Sequence, residues 1–247
     1  MKKTRIGFFD FTGCEGCQLT VLNLEQDLLE ILELVELVEF REVMSEQAGH
    51  LDIAFVEGSV CRQQDREQLK KIRQRTDILV ALGACADNGG VNALGSDRGP
   101  ELMCQQVYAS HLPHLQTDPP QALSEVVPVD YRVPGCPIDG HEFLAVLQAL
   151  LLKRQPDLPT FAVCVECKLA EYPCSFDHGE ICLGPVTRAG CRAICIDGGD
   201  RCRGCRGLIE NPRTSPYHRL LEEHGLTVDD ILDQYRTFNI GEQKSES

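Results

Sequence analysis

Tryptophan, clustered positive charge and long apolar runs are all missing from this chain of 247 residues. Its 38 acidic residues outnumber its 24 Lys and Arg residues, so the formal net charge is −14. Because nucleic acid is bound through clustered basic side chains, we expect no nucleic-acid partner. The longest apolar candidate, FLAVLQALLL at 143–152, is shorter than the ~18 residues that a bilayer crossing requires, so we expect no membrane span.

A recognisable export signal is missing as well. The chain begins MKKTRIGFFDF, with neither an apolar signal segment nor a twin-arginine motif. We therefore expect a cytoplasmic protein whose thiols stay reduced, which disfavours disulfides. The chain nevertheless contains 14 cysteines, far more than ordinary usage, and this excess indicates metal binding.

Eight of the cysteines crowd into the segment 164–205. They are Cys164, Cys167, Cys174, Cys182, Cys191, Cys195, Cys202 and Cys205. Few apolar runs separate them, so this segment needs cross-linking through a metal to become stable. The C-x2-C pairs at its two ends are typical of zinc sites, whereas the uneven gaps between them suit two four-cysteine iron-sulfur clusters. The pattern favours clusters and leaves zinc open.

Residues 5–155 alternate between short apolar runs and amphipathic segments. The runs RIGFFDF, VELVEFREVM, LDIAFVEGSV, DILVALGAC and EVVPVDYRVPGC predict five strands. Helices are predicted at 18–33, 63–75, 100–110 and 141–154. Repeated strand, helix, strand units predict an α/β fold, a flavodoxin-like doubly wound parallel sheet over residues 1–155. Residues 156–247 are expected to form a small cysteine-rich iron-sulfur domain, ferredoxin-like with two clusters, that ends in a helical tail.

Five further cysteines follow the predicted strands. Cys14 and Cys17 follow the first strand, Cys61 the third, Cys85 the fourth and Cys136 the fifth. Because parallel strands end at one common edge of a sheet, we expect these thiols to converge, and four of them suffice for one more cluster. The alternative is a thioredoxin-like redox pair at Cys14 and Cys17, which would leave Cys85 and Cys136 without a role.

Two cysteines and two glutamates fall outside the three predicted sets of four ligands. Cys61 and Cys104 lack partners and are expected to be thiols without a ligand role. Glu15 and Glu57 lie beside the cysteines, where solvent exposure explains them less readily than it explains the Glu-rich predicted helix.

The order of motifs in this chain resembles that in the small subunit of nickel-iron hydrogenases. The motifs are TGCEGCQLT, FVEGSV, LGAC and VPGCP, followed by CLGPVTRAGC and CRGC. The resemblance covers most of the chain, from Gly7 to about Gly207, and is greatest for the delta subunit of the sulfhydrogenases, the NAD(P)-linked bidirectional branch. The complex I subunit that carries the terminal cluster shares the sheet domain but lacks an eight-cysteine tail, so it resembles the chain less.

The resemblance implies an electron-transfer subunit of an oxidoreductase, with three 4Fe-4S clusters and no catalytic residue of its own. The implied proximal ligands are Cys14, Cys17, Cys85 and Cys136. The eight cysteines from Cys164 to Cys205 are the implied medial and distal ligands. By motif, Cys164, Cys167 and Cys174 are similar to distal ligands and Cys182, Cys202 and Cys205 to medial ligands. Cys191 and Cys195 complete the two sets, in an order that the motifs leave open.

The resemblance also implies partner chains. These are a hydrogenase large subunit that holds the nickel-iron centre, an iron-sulfur subunit, and a subunit that binds FAD and NAD(P), together a heterotetramer. The chain itself contains no nickel motif and no G-x-G-x-x-G nucleotide loop. The alternative from another class is a zinc-stabilised interaction module joined to a flavodoxin-like domain.

Overall fold

A five-stranded sheet organises the first of two units, Met1–Pro156, and Asp157–Ser247 form the second unit. The structure, a computed structural model, describes residues 3–40, 49–108, 117–210, 214–225 and 227–238. None of the helices within these ranges is both long and apolar enough to cross a bilayer.

The sheet of the first unit is parallel throughout. Its strands are β1 (Thr4–Asp10), β2 (Val35–Phe40), β3 (Leu51–Glu57), β4 (Thr76–Leu82) and β5 (Tyr131–Val133). Their spatial order is β2-β1-β3-β4-β5, and every neighbouring pair runs parallel. This is the flavodoxin-like order. The predicted α/β class and doubly wound parallel sheet are therefore confirmed.

Helices follow the strands in sequence. They are α1 (Gly16–Leu22), α2 (Gln26–Leu34), α3 (Gln63–Gln74), α4 (Gly83–Asn88), α5 (Pro100–Tyr108) and α6 (Gly140–Leu151), with 3-10 segments at Gly90–Arg98 and Leu123–Glu125. The start of α6 is capped by Asp139, whose carboxylate accepts the Glu142 N–H at 3.0 Å.

Side chains on both faces of the sheet are buried, as expected where helices cover both sides. Phe8 stacks on Phe40 and Phe55 with ring centroids 4.6 and 5.0 Å apart, and Phe143 of α6 packs against Phe55 at 5.1 Å. The next residue of β1, Phe9, belongs to a separate buried cluster with Leu69 and Leu79. Alternate residues of one strand thus contribute to two cores.

Three predicted elements differ from the observed ones for local reasons. The single helix predicted at 18–33 is two helices, because Glu25 has a φ of 45° that no α-helix accommodates. The fourth strand ends at Leu82, because Gly83 has a φ of 84° and starts α4. The fifth strand is only three residues long and lies between Pro128 and Pro134, which have no N–H group for a sheet ladder. The predicted strand positions 41–44 and helix positions 109–110 lie outside the described residues.

The second unit is built from short helices and irregular loops. Its helices are α7 (Val163–Leu169), α8 (Ile194–Asp197), α9 (Thr214–Glu223) and α10 (Val228–Arg236), with a 3-10 segment at Ser175–His178. Its buried apolar side chains include Val163, Leu183, Ile196 and Leu221. The phenol of Tyr217 on α9 donates to the Cys182 carbonyl at 2.8 Å, which fastens this helix to the cysteine-rich loops.

Candidate iron-sulfur sites

The loops at the carboxyl edge of the sheet carry the first group of cysteines. Cys14 precedes α1 and Cys17 lies in its first turn, Cys85 lies in α4 directly after β4, and Cys136 follows β5. The ends of β4 and β5 are joined where the Ala84 N–H donates to the Gly135 carbonyl at 2.7 Å. Parallel pairing thus brings these loops to one edge, as the sequence predicts.

Glycines line this group so closely that larger residues would not fit. A Cβ added at Gly83 would lie 2.3 Å from the sulfur of Cys17, and one at Gly90 would lie 3.0 Å from the sulfur of Cys85. Both glycines have positive φ values, of 84° and 55°, which other residues rarely adopt. Gly16 approaches Cys14 in the same way, with a Cβ distance of 3.3 Å to its sulfur. The backbone therefore leaves room around the thiols for a bulky inorganic group.

The pKa values of two of these thiols are raised by burial and by neighbouring charges. Burial raises the pKa of Cys85 to about 12, and negative charge on Cys136 and Cys14 adds to this increase. Burial also raises the pKa of Cys17, and the neighbouring Glu57 carboxylate raises it further. Without a metal, Cys17 and Cys85 would stay protonated at neutral pH. A metal group that binds all four as thiolates would remove this mutual repulsion.

Glu57, the last residue of β3, is buried beneath the first cysteine loop with 3% of its surface exposed. Its two carboxylate oxygens accept the N–H groups of Cys17 at 3.1 Å and Gln18 at 2.9 Å. Burial raises the pKa of Glu57, and these two hydrogen bonds oppose that increase. Glu15, by contrast, is exposed.

Cys61 and Cys104 have different surroundings from the four thiols. The Cys61 N–H donates to Asp65 at 3.3 Å, and its sulfur lies 3.5 Å from the Ser59 hydroxyl. Cys61 and Cys104 both line an open cavity of about 550 Å³ together with Met103. Cys61 is still near enough to contribute slightly to the raised pKa of Cys85, so its exclusion from the ligand set stays a prediction.

In the second unit, Cys167, Cys174 and Cys182 lie close enough to Cys164 to affect its pKa. A Cβ added at Gly184 would lie 3.2 Å from the sulfur of Cys164 and 3.3 Å from that of Cys182. The pKa of Cys164 is raised to about 12. Burial is the largest cause, and the charges of Cys182, Cys167 and Cys174 contribute in that order. The pKa of Cys167 is raised by burial and by Cys182 and Cys174.

Cys191, one of the other four cysteines of this unit, lies near a buried arginine. Arg206 is 1% exposed and donates to the carbonyls of Ala189 at 2.9 Å and Arg188 at 3.2 Å. Its charge lowers the pKa of Cys191, although burial raises that pKa by more. The charge of Cys195 also raises the pKa of Cys191. The pKa of Cys202 is raised mainly by burial, and the charges of Cys182 and Cys205 raise it further.

The two groups touch at one hydrogen bond, since the Cys202 N–H donates to the sulfur of Cys182 at 3.3 Å. The motif-based partition placed Cys182 with Cys202 and Cys205. The closeness of the Cys164 and Cys182 sulfurs at Gly184 instead favours Cys182 as the fourth member of the earlier group. Cys182 also raises the pKa of Cys195 and Cys202, so its assignment stays a prediction.

The spacing of the sulfurs bears on the choice between zinc and clusters. A tetrahedral zinc site with Zn–S bonds of ~2.3 Å requires sulfurs about 3.8 Å apart. In the described part of the chain, no three cysteine sulfurs all lie within 4.8 Å of one another. A cubane is a larger body that holds its ligands further apart, so the wider spacing fits clusters better.

One further group of possible metal ligands was not predicted from the sequence. His50, Asp52 and Asp77 lie together at the opposite edge of the sheet, with one ligand atom of each within 4.8 Å of the others. The His50 ring contacts Asp77 at 3.1 Å, and Asp52 accepts the Arg5 N–H at 2.6 Å. These protein contacts account for the arrangement without a metal.

Comparison with known proteins decides the family. A family model described as NADH ubiquinone oxidoreductase, 20 Kd subunit, matches residues 14–150, more than half of the chain. The delta subunit of sulfhydrogenase 2 from Pyrococcus furiosus is 37% identical over 236 residues, which cover 95% of this chain and 98% of that relative. The chain belongs to the hydrogenase small subunits of this family. The predicted resemblance is confirmed.

Other hydrogenase small subunits agree with this assignment. A relative from the vhu F420-non-reducing hydrogenase of Methanocaldococcus jannaschii is 32% identical over 237 residues, with 83% of this chain and 82% of that protein covered. A solved structure of an NAD+-reducing [NiFe]-hydrogenase in the H2-reduced state aligns with a TM-score of 0.60 and 32% identity, over 64% of this chain and 96% of that one. Hydrogenase small subunits transfer electrons, and the catalytic site of a nickel-iron hydrogenase lies on its large subunit.

Proposed function

We propose that this chain carries three 4Fe-4S clusters and relays electrons between the nickel-iron centre of a hydrogenase large subunit and a flavin module that reacts with NAD(P). The observation that carries this proposal is the convergence of four thiols on one edge of the sheet. A second unit with eight further cysteines supports it, and we assign the twelve thiols to three sets of four. The proximal set is Cys14, Cys17, Cys85 and Cys136. The second set is Cys164, Cys167, Cys174 and Cys182, and the third is Cys191, Cys195, Cys202 and Cys205.

Each set of residues has a definite task in this proposal. A bound cubane supplies a site that accepts and releases one electron. The cysteines hold it as thiolates, and the glycines at 83, 90 and 184 keep side chains out of the space beside the sulfurs. Backbone N–H groups near the sulfurs set how readily negative charge is accepted. Arg206 places a buried positive charge beside Cys191, which favours the reduced form of the third cluster.

Exposed apolar side chains near the proximal set support a partner subunit on that edge. Leu19 in α1 is 47% exposed, and Val91 and Leu94 after α4 are 45% and 55% exposed. Val107 in α5 is 69% exposed. Permanent complexes cover such apolar surface in interfaces of more than ~2,000 Å². We propose that the large subunit covers this surface and so protects the proximal cluster.

The nature of the electron acceptor rests on the relatives. One solved relative is named as NAD+-reducing, whereas another relative is named only as F420-non-reducing. The FAD and NAD(P) subunit, the additional iron-sulfur subunit, the heterotetramer and the cytoplasmic location are therefore proposed by analogy with the NAD(P)-linked branch.

The test is anaerobic purification of the native complex through a tag on this chain. We expect companion chains that include a large subunit, and about twelve iron and twelve sulfide per copy of this chain. Hydrogen should reduce NAD(P)+ in the presence of the complex. About eight iron with bound zinc would contradict the three-cluster assignment, and a full iron content without NAD(P)+ reduction would contradict only the proposed acceptor.

A further inference from the structure

We infer that Glu57 is a positioning residue for the proximal cluster, which holds the first turn of α1 in place and lowers the reduction potential of that cluster. The inference rests on the proposed function, because it requires a cluster on Cys14, Cys17, Cys85 and Cys136.

The first turn of α1 has no cap of its own. Glu15, which precedes the helix, has a φ of 63°, and its side chain makes no capping hydrogen bond. Glu57 accepts the two N–H groups instead, from the end of β3. It engages each donor with a different oxygen, Cys17 with Oε1 and Gln18 with Oε2. Cys17 is therefore held against the sheet by a residue 40 positions away in the sequence.

These two N–H groups matter electronically because first-turn donors have no partner within the helix. If they were left free beside a cluster, they could donate to its sulfurs and stabilise the extra negative charge of the reduced form. Such hydrogen bonds raise the reduction potential. By accepting both donors, Glu57 keeps them from the cluster. This disfavours reduction.

Burial makes the effect strong. Glu57 is 3% exposed and Gln18 is fully buried, so bulk water does not screen this contact. Glu15 lies between the two cysteines of the same C-x2-C loop but is exposed, where charge effects are weakened by solvent. The two glutamates therefore form a matched pair, one with hydrogen bonds to the ligand turn and one without such bonds.

The experiment compares Glu57→Gln with Glu15→Gln in the complete complex. Glutamine has the size of glutamate but only one acceptor oxygen, so at least one of the two N–H groups loses its partner. The proximal cluster is identified as the EPR signal that Cys85→Ser removes, and its midpoint potential is measured by redox titration. We expect a positive shift in Glu57→Gln that exceeds the shift in Glu15→Gln. An unchanged potential, or equal shifts in both variants, would overturn the inference.

Loss of the cluster in Glu57→Gln is also informative when Glu57→Asp is measured beside it. Aspartate keeps both oxygens on a shorter side chain. A fall from about twelve to about eight iron per chain in Glu57→Gln, with the iron retained in Glu57→Asp, supports the positioning role. Equal losses in both variants would overturn it. If Cys85→Ser removes no EPR signal that the unmodified complex shows, the proposed function is overturned, whatever the Glu57 variants do.

Discussion

At the scale of single residues, neighbouring thiols on the sheet edge have different surroundings. After burial, the charges of Cys136 and Cys14 contribute most to the raised pKa of Cys85. The sulfur of Cys61 instead lies 3.5 Å from the Ser59 hydroxyl, and its backbone N–H donates to Asp65. We therefore predict that Cys85 is a ligand and Cys61 is not, a difference in surroundings that the spacing in the sequence does not reveal.

We predict that Cys85→Ser and Cys61→Ser have opposite outcomes. Cys85→Ser should lower the iron content from about twelve to about eight per chain, because a hydroxyl replaces one of four thiolates. Cys61→Ser should keep all the iron and destabilise the chain by about 1 kcal/mol, the usual range for a small buried substitution. Iron analysis and thermal unfolding check both values. Loss of iron in Cys61→Ser would mean that the proximal set is wrongly chosen.

A second prediction concerns two glycines with similar backbones. Gly83 and Gly99 have φ values of 84° and 74°, but an added Cβ would meet the Cys17 sulfur at 2.3 Å in the first case and nothing within 4 Å in the second. Gly99→Ala should cost about 1 kcal/mol of backbone strain and leave the iron in place. Gly83→Ala should cost about 3 kcal/mol and remove the proximal cluster, since the sulfur must move. Equal effects on stability and iron would show that the sulfur contact is unimportant.

At the scale of elements, the sequence predicts regular structure well and its interruptions poorly. The four long strands and the helices α3 and α6 have clear apolar periodicity, so they are found close to where they are predicted. The break at Glu25 and the start of α4 at Gly83 depend on positive φ values, and no periodicity records those. Both glutamates beside the cysteines stood out in the sequence, but only the structure separates buried Glu57 from exposed Glu15.

The partition of the cysteine-rich loops shows the same limit. The motifs order the eight cysteines along the chain, yet their grouping depends on which loops fold over each other. We predict that Cys182→Ser removes the same EPR signal as Cys164→Ser, and that Cys191→Ser removes the other signal of this unit. Selective loss is measured in reduced, anaerobic samples, with Cys104→Ser as a cysteine control. If Cys182→Ser instead removed the EPR signal that Cys205→Ser removes, the motif-based partition would be the right one.

At the scale of the whole molecule, two of the four proposed ligands in the first unit are exposed, against one of eight in the second. The exposed thiols are those of Cys14 and Cys136 in the first unit and that of Cys195 in the second. We therefore propose that a partner is needed mainly at the sheet edge. The described part of the second unit has short helices and irregular loops around its cysteines, so we expect its stability to depend on what those cysteines bind.

We therefore predict that the chain expressed without companions loses its proximal cluster first. On exposure to air, the Cys85-dependent EPR signal should disappear while the signals of the second unit persist. Complete removal of iron by a chelator should then unfold the second unit and leave the circular dichroism of the parallel sheet largely intact. A monomer that keeps all three clusters in air would contradict the relay-subunit proposal and indicate a free-standing electron carrier.

The sheet order also sets a sequence of events during biosynthesis. Cys14 emerges from the ribosome early, but its co-ligand Cys136 follows β5, so the proximal site is incomplete until the strands have paired. The ligands between 164 and 205 lie in a stretch roughly three times shorter, which makes their closure about 1 kcal/mol less costly in chain entropy. We expect them to take up iron while still unfolded and to direct their own folding. The proposed proximal cluster would then have to enter a finished sheet, before a large subunit covers it.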